Sequence, residues 1–419
     1  MIHEKSKQIL RGTTSYAASN VVNSAATFLA SMVVSSYLGK EGLGIYSVSF
    51  AVVLIGVLLS ELGLNPIIMR EFSRSDREPR VSLRFILLLR FGASVFVAIC
   101  VLAGAAYLKL EVATPPLLGG LGLLIISRSV GGAAENILKA HLRHLAYFVL
   151  TAGNATVQVL VVLAMLRLGL GIGSVVLSLA GIDALKGAVL LVMVIGEPHL
   201  QSAGNRSASM RLRPLLAQCV PFILIGLLVF LNERGGLLLL ASLGNAAVAG
   251  VYAAASRFLV IGNIIDSSLL SSTLPTLASL KGDADRRHVT GQVFAGTIAV
   301  SAVIACAMFF GASFLISTTF RFSESVVVLR ILSLALPAIL ANRVARTVLY
   351  ALDKERAVAG TLALACAANL VLNILAIPRF GAAGAAGVAV ATEYGVALVY
   401  TVLYLKFTTR DAQTMGVTP

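Results

Sequence analysis

Charged side chains are scarce in this chain. Asp, Glu, Lys and Arg make up only 12% of its 419 residues, whereas 58% of the residues are hydrophobic. A soluble domain carries roughly 25% charged residues. A water-soluble globule of this composition would leave most of its surface apolar. The composition therefore excludes an ordinary soluble protein and indicates one that is surrounded by lipid.

Clustered metal or disulfide ligands are also lacking. The four cysteines each lie alone in an apolar run, which is typical of small buried hydrophobes, and the five histidines lie in polar segments. The pair His141 and His144 has no neighbouring cysteine or carboxylate to complete a metal site. The opening segment MIHEKSKQILRG is too polar for a cleavable signal sequence. We therefore expect no metal, no cofactor and a first span that is retained.

Long apolar runs take the place of these features. A helix needs roughly 20 apolar residues to cross a hydrocarbon core about 30 Å thick. The runs are continuously apolar without a period of two, which favours helices over a β-barrel. There are twelve of them, at about residues 12–38, 43–69, 83–108, 115–139, 145–166, 172–196, 214–242, 247–274, 288–319, 326–350, 356–377 and 381–406. The predicted fold class is an all-α integral membrane protein with about twelve transmembrane helices.

The net charge of +14 reports orientation rather than a nucleic-acid partner. If the N-terminus is cytoplasmic, 21 Lys and Arg residues fall in the inside segments and 5 fall in the outside turns. The positive-inside rule produces such a skew in short loops. We therefore expect a multi-pass protein of the inner (plasma) membrane with both termini in the cytoplasm, and no nucleic-acid ligand.

A glycine-rich turn between the first two runs, LGKEGLGIY, raises the question of a phosphate-binding loop. A dinucleotide-binding fingerprint needs a preceding strand and an acidic residue about 20 positions further on in a soluble βαβ unit. Here the glycines follow a membrane-length run, so they indicate a tight turn between two helices. A proline, Pro66, is predicted to close the second helix.

This turn belongs to an internal repeat. LGKEGLGIY at 38–46 is matched by LGNAAVAGVY at 243–252, and RLGLG at 167–171 is matched by RFGAAG at 379–384. Both matches lie near an offset of half the chain. Because each half contains six spans, an even number, the two halves enter the membrane in the same sense and form a parallel repeat.

The repeat divides the chain into two six-helix lobes. The predicted boundaries are residues 1–200 for the first lobe, 201–213 for a cytoplasmic linker and 214–419 for the second lobe. The linker is the long polar stretch EPHLQSAGNRSASMRLRP, which has the composition of a connecting segment.

Ionisable residues inside the predicted spans are the candidate functional groups. Each costs about 2.5–3.5 kcal/mol at a helix centre on insertion scales, and such groups usually face a bundle interior or a water-filled cavity. They are Glu61, Arg90, Arg128, Glu135, Asp183, Lys186, Glu233, Arg234, Arg257, Asp266 and Glu393. Four arginines among them exceed their obvious partners, and unpaired guanidinium groups suit a phosphate or carboxylate ligand.

Several of these residues are predicted to meet. Glu233 and Arg257 lie at similar depth on the two legs of one hairpin. Asp183 and Lys186 share one helix face, so mutual neutralisation is one reading of that pair. Arg128 and Glu135 share a face of the fourth helix.

The acidic residues follow the repeat as well. Glu61 and Asp266 occupy corresponding places in the second helix of each half, and Asp183 and Glu393 do so in the sixth. Two readings stay open for these acids. They either hold the bundles together or bind protons or cations.

In these residues the chain resembles the Wzx-type polysaccharide and oligosaccharide flippases of the multidrug/oligosaccharidyl-lipid/polysaccharide (MOP) superfamily. The similarity covers almost the whole chain and lies in LGKEGLGIYSVSF, ELGLNPIIMREFSR, NERGGLLLLASLGNAAVAGVYAAASRF, STLPTLASL and RFGAAGAAGVAVATE. The resemblance implies two lobes around a central cavity that opens alternately to either side. It also implies that the substrate is an undecaprenyl-pyrophosphate-linked oligosaccharide carried to the outer leaflet, and that the protein is not an enzyme.

The resemblance and the charges together give the candidate sites. The acid and base that the family carries in the seventh helix match Glu233 and Arg234, and its arginine after the eighth-helix tyrosine matches Arg257. The residues predicted to bind pyrophosphate or sugar are Arg90, Arg128, Lys186, Arg234 and Arg257. The residues predicted to couple transport to protons or sodium are Glu61, Asp183, Glu233, Asp266 and Glu393. The expected partners are membrane lipids, the lipid-linked substrate and the polysaccharide polymerase machinery.

Two other functions remain open at this point. A multidrug or cation antiporter would have the same two-lobe fold, but an acid-dominated cavity suits organic cations, and the central spans here carry at least as many bases as acids. An integral-membrane glycan polymerase or ligase resembles chains with a sizeable outside loop. The outside loops here are all shorter than about ten residues.

Overall fold

The structure, a computed structural model, describes residues 2–72, 82–107, 111, 114–140, 144–196, 212–260, 283–351 and 354–414. Over this part of the chain the secondary structure is helical. The helices are α1 (Ile2–Ser60), α2 (Asn65–Phe72), α3 (Leu83–Tyr107), α4 (Pro115–Ala140), α5 (His144–Arg167), α6 (Ile172–Ile195), α7 (Leu212–Leu243), α8 (Ala246–Ser256), α9 (Asp283–Thr319), α10 (Glu324–Ser333), α11 (Leu336–Ala351) and α12 (Glu355–Thr414). A single 3-10 turn, Arg257–Val260, follows α8.

The two longest elements, α1 and α12, are each a pair of helices joined at a glycine. Gly39 has φ 65° and ψ −163°, and Gly381 has φ 54° and ψ −133°, so neither residue is helical. Positive φ is a conformation that glycine adopts without steric cost. The first and second arms are residues 2–38 and 40–60 in α1, and residues 355–380 and 382–414 in α12.

The described residues contain nine helices that are long and apolar enough to cross a membrane. Because two of the nine are the paired elements α1 and α12, they correspond to eleven of the twelve predicted spans. The remaining span, predicted at about 247–274, begins with Ala246–Val260 and continues outside the described residues. The chain is therefore a multi-pass all-α membrane protein, as predicted.

The chain forms two compact units, Met1–Phe230 and Leu231–Pro419. Within the first unit, α4 packs along α6, α1 along α5 and α3 along α4. Within the second, α11 packs along α12 and α9 along both α10 and α11. The division falls inside α7. The linker predicted at 201–213 lies mostly outside the described residues, so the predicted lobe boundaries stay a prediction.

The closest helix packing in the first unit is that of α4 on α6. A Cβ added to Gly131 would lie 3.1 Å from the Cα of Gly187, and one added to Gly120 would lie 3.1 Å from the backbone nitrogen of Leu177. Small residues of this kind let two helix backbones approach. Since both contacts join residues 56 or 57 positions apart, the two helices run parallel.

A break follows the second arm of α1. The helix ends at Ser60, and Leu62 and Gly63 have φ of 51° and 66° before α2 begins at Asn65. A Cβ on Gly63 would lie 2.7 Å from the carbonyl oxygen of Cys219, so the break rests on the first turns of α7. The prediction that Pro66 closes the second helix is wrong. Pro66 lies in the first turn of α2, where its missing N–H is not needed.

Two smaller expectations have different outcomes. The second repeat motif is confirmed at its turn, because Gly169 and Gly381, 212 residues apart, both have positive φ. In the cysteine prediction, Cys219 and Cys366 are buried as expected, but Cys100 and Cys306 are exposed on the helix surface.

Candidate functional site

Arg90 forms the centre of a buried polar cluster beside the helix break. Its side chain is 0% exposed, and its Nη1 donates a 2.8 Å hydrogen bond to the carbonyl oxygen of Ser129. Its Nη2 donates to Oδ1 of Asn65, and Glu61 Oε1 lies 3.9 Å from Nη1. Asn65 in turn donates to Glu61 at 2.8 Å and accepts from Asn136 at 2.7 Å. Arg90 thus ties the break to α3 and α4.

Asp183 on α6 is the centre of a second cluster. Its Oδ2 accepts a 2.7 Å hydrogen bond from Nε of Arg128 on α4, and its Oδ1 accepts from Asn154 at 3.0 Å and from Gln158 at 2.8 Å on α5. The Arg128 guanidinium also lies 5.3 Å from the ring centre of Phe50, within range of a cation–π contact. The carboxylate therefore has three donors and a full counter-charge.

A third ion pair continues along the same helix pair. Lys186 Nζ lies 3.2 Å from Glu135 Oε2, and Lys139 Nζ lies 3.0 Å from Glu135 Oε1. The reading in which Asp183 and Lys186 neutralise each other is wrong, because both side chains reach across to α4 instead. The expectation that Arg128 and Glu135 share a helix face is confirmed, since both meet α6.

The second unit contains a polar cluster around Glu393. Asn342 on α11 donates from Nδ2 to Glu393 Oε2 at 2.8 Å and to the Glu393 carbonyl at 2.9 Å. Asn373 donates to the carbonyl and to Oδ1 of Asn369, which donates to Thr392. The side-chain oxygens of Asn342 and Asn373 are buried and accept no hydrogen bond within the described part of the chain. The Asn342 oxygen is therefore an available ligand next to the Glu393 carboxylate, whereas the Asn373 oxygen lies near Gly236 of α7.

The Asp183 cluster of the first unit and the Glu393 cluster of the second are related by the internal repeat. Each joins an acid on the sixth helix of its half to a donor on the fourth, and each has two amides one turn apart on the fifth. In the first unit these amides donate to Asp183, whereas in the second Asn369 donates to Thr392 and Asn373 donates to Asn369. The corresponding residues, 210 to 215 positions apart, are Asp183 and Glu393, Arg128 and Asn342, Asn154 and Asn369, and Gln158 and Asn373. In the second unit an asparagine thus takes the place of the arginine.

The remaining charges of the second unit are mostly basic. Glu233 is 54% exposed, and its Oε1 lies 4.0 Å from Nη2 of Arg343 on α11. Arg234 interacts electrostatically with the Tyr252 hydroxyl. Arg346 lies within electrostatic reach of Glu393.

Two of these basic residues were not predicted as site residues. Arg343 and Arg346 both lie in the membrane-length span Glu324–Tyr350. The signal that could have identified them is the sequence NRVAR, in which an amide and two arginines interrupt an apolar run at a spacing that places them near one helix face.

Other predicted residues have mixed outcomes. Arg257 opens the 3-10 turn after α8 and is half-buried. Its predicted contact with Glu233 stays a prediction, and Asp266 lies outside the described residues. The two arginines of the first unit do not belong to a surplus, because Arg90 and Arg128 both have carboxylate neighbours. Their roles as substrate ligands, and that of Lys186, stay predictions.

The described spans of the two units therefore differ in charge balance. In the first unit the basic residues meet carboxylates. Around α7, α8 and α11 of the second unit, four arginines stand against two glutamates among the described residues. The arginines are Arg234, Arg257, Arg343 and Arg346, and the glutamates are Glu233 and Glu393.

Comparison with known proteins identifies the family and the fold of the chain. Residues 9–281 match the model of a family described as polysaccharide biosynthesis protein. No curated protein sequence matches the chain. Among solved structures, the chain is similar to an inward-facing multidrug resistance MATE family transporter of the MOP superfamily, with a TM-score of 0.69 and 12% identity over 94% of this chain and 99% of that one.

Two further structures show the same fold. The lipid II flippase MurJ in an inward closed conformation gives a TM-score of 0.64 at 11% identity, covering 95% of this chain and 87% of that chain. A MOP superfamily transporter from Pyrococcus furiosus, described as having a binding pocket of reverse polarity, gives 0.59 at 11% identity, covering 98% and 97%. The predicted fold class, the twelve-helix two-lobe fold of MATE and MOP transporters, is confirmed.

Proposed function

Since the chain belongs to the polysaccharide biosynthesis protein family, we propose that it moves an undecaprenyl-pyrophosphate-linked oligosaccharide across the inner membrane. In this proposal the protein is a flippase that works by alternating access, with both termini in the cytoplasm. It carries the headgroup from the cytoplasmic to the outer leaflet for the synthesis of cell-surface polysaccharide.

The observation that carries this proposal is the excess of arginine in the second unit. A pyrophosphate carries several negative charges and many acceptor oxygens, and the planar guanidinium fork matches phosphate geometry with paired hydrogen bonds. Arg234 and Arg257 are the residues that the family resemblance also assigns to this role. The prenyl chain needs no polar contact because it stays in the hydrocarbon region, which leaves recognition to the headgroup.

A cation or proton at Glu393 is the proposed coupling site. Its carboxylate and the buried Oδ1 of Asn342, which accepts no hydrogen bond within the described part of the chain, supply neighbouring oxygen ligands for a proton or a cation. Glu233, whose side chain is 54% exposed, is the second candidate. The acids of the first unit, Glu61 and Asp183, each have an arginine as a counter-ion, at 3.9 Å and 2.7 Å respectively, and are weaker candidates.

The test is transport by the purified full-length protein. In proteoliposomes, a fluorescent prenyl-pyrophosphate-linked oligosaccharide placed in one leaflet should reach the other, and Arg234→Ala and Arg257→Ala should abolish this movement without lowering protein abundance. The matched control is Arg330→Ala, which removes an exposed arginine of α10 that lies 5.9 Å from the Phe309 ring centre. Absence of transport by the wild-type protein would overturn the proposal.

A second candidate is a multidrug or cation antiporter, which the likeness to MATE family structures favours. The excess of arginine opposes it, because organic cations bind to acidic sites. Ethidium efflux from cells that express the protein, with no effect of its loss on surface polysaccharide, would establish this second function.

A further inference from the structure

Arg346 of α11 and Tyr400 of α12 lie along the contact between these two helices. Asn342 of α11 contacts Glu393 of α12. Arg346 lies one turn beyond Asn342, between Val344 and Val348. These two valines pack against Tyr404, one turn beyond Tyr400, so Arg346 and Tyr400 lie at neighbouring levels of the contact between α11 and α12. Their proximity is supported by the electrostatic influence of Arg346 on the Tyr400 hydroxyl.

Both groups have donors that the described protein does not fill. The Tyr400 side chain is 1% exposed, and its hydroxyl has no hydrogen-bond partner in the described part of the chain. A buried hydroxyl without a hydrogen-bond partner is energetically unfavourable, so an acceptor is expected there. Arg346 makes no hydrogen bond and no ion pair with the residues that the structure describes. Glu393, the described acid that Arg346 influences electrostatically, is not within ion-pair distance of it and already accepts a hydrogen bond from Asn342.

The corresponding place in the first unit offers no such donors. By the offsets of the repeat, Arg346 corresponds to Gly132 on α4 and Tyr400 corresponds to Leu190 on α6. There, Gly132 packs against the Glu61 and Arg90 side chains, and Leu190 is buried in the apolar core. The second unit therefore has two donors without acceptors at this place, and the corresponding residues of the first unit, Gly132 and Leu190, have none in their side chains.

We propose that Arg346 and Tyr400 form an anion subsite that binds a phosphate group of the lipid-linked substrate. This inference rests on the proposed function and adds two residues to it. The guanidinium supplies charge and a forked pair of N–H donors, and the phenol supplies one O–H donor to a phosphate oxygen. A bound water would satisfy the phenol but would leave the guanidinium without a counter-ion.

The experiment measures binding of geranylgeranyl pyrophosphate to the purified full-length protein in detergent micelles. Charge-assisted hydrogen bonds of this kind are lost in Arg346→Gln, so its Kd should rise at least about tenfold. Tyr400→Phe removes one neutral donor, and its Kd should rise about threefold to tenfold. Arg330→Gln, the control in the same unit, should leave the Kd unchanged. Arg346→Lys keeps the charge and loses the fork, so an intermediate Kd is expected.

Two comparison probes separate the possible failures. Geranylgeraniol has the same chain without phosphate, and wild-type protein that binds both probes equally would overturn the proposed function itself. Tight binding of geranylgeranyl pyrophosphate with an unchanged Kd in the folded Arg346→Gln and Arg346→Lys variants would overturn the subsite and leave the proposed function standing. Inorganic pyrophosphate that competes as well as unlabelled geranylgeranyl pyrophosphate would overturn the lipid-linked source of the phosphate.

Discussion

The helix pair α4/α6 in the first unit and the pair α11/α12 in the second share one framework and differ in how it is charged. Both pairs run parallel and join an acid on the later helix to a donor on the earlier one. In the first unit that donor is Arg128, and in the second it is Asn342. A guanidinium neutralises its carboxylate, whereas an amide leaves the carboxylate charge uncompensated.

This difference separates a structural role from a ligand-binding one. In the first unit every acid in the two clusters meets a base, so the charges are used within the fold. In the second unit the acid, Glu393, accepts a hydrogen bond from the amide of Asn342. Arg346 lies nearby but forms no ion pair with Glu393. The two units therefore share an acid bound to a donor of the fourth helix, but in the second unit an amide takes the place of the arginine. An arginine and a carboxylate that do not pair with each other can bind an anionic substrate and a coupling cation, respectively.

The largest loss of stability is expected in the first unit, where Arg128 is paired with Asp183. Arg128→Gln leaves Asp183, which is 7% exposed, without its cation, and removing one partner of a buried pair costs about 3–5 kcal/mol. Because the Arg128 side chain is 27% exposed, we expect a loss of about 3 kcal/mol, at the lower end. The measurement is denaturant or thermal unfolding in detergent.

The double variant Arg128→Gln, Asp183→Asn provides the control for this prediction. Replacing both charges by amides removes the uncompensated carboxylate, so most of the lost stability should return. Equal instability of the single variants Arg128→Gln and Arg346→Gln would contradict the comparison, because it would mean that the arginines of the two units have the same structural role.

A smaller effect is expected where the backbones of α4 and α6 touch. A methyl group on Gly131 would lie 3.1 Å from the Cα of Gly187, which is backbone and cannot rotate away. We therefore expect Gly131→Ala to cost about 1–3 kcal/mol, as overpacking does, and to weaken the ion pairs on either side of the contact. Gly119→Ala on the same helix is the matched control, since nothing lies within 4 Å of its added methyl. Equal unfolding temperatures for the two variants would show that the helices are not held at this contact.

Much of the fold follows from sequence alone, and the reasons are local. Apolar length gives the spans, and the repeated Gly169 and Gly381 turns show in the sequence because glycine at positive φ marks them. The face shared by Arg128 and Glu135 follows from helical spacing. In contrast, the pairing of Asp183 depends on which helix lies opposite α6, and the close approach of α4 to α6 at Gly131 and Gly187 is a tertiary contact that the sequence near Asp183 does not display.

The candidate site was harder to predict for two physical reasons. The break at Leu62 needs a non-glycine residue at φ 51°, a conformation that local preference disfavours and that surrounding structure must impose. Arg346 lies four residues from the end of its span at Tyr350, where an arginine in a sequence has the pattern of a loop charge that reports topology. Its place beside Tyr400 depends on the register of α11 on α12, which the sequence does not display.

The smallest change in stability, and the sharpest comparison, is expected from Asn342→Arg, which gives the second unit the arrangement of the first. The new guanidinium would reach Glu393 as Arg128 reaches Asp183, supplying a tethered cation where we propose a mobile one, so stability should change by less than about 1 kcal/mol. Transport of the prenyl-linked probe should then lose its dependence on sodium or on a proton gradient, because the coupling site is filled. Asn342→Gln, which keeps an amide, is the control and should retain that dependence. A gradient dependence that survives in Asn342→Arg would place the coupling cation away from Glu393, and the two halves would then differ in charge for a reason other than coupling.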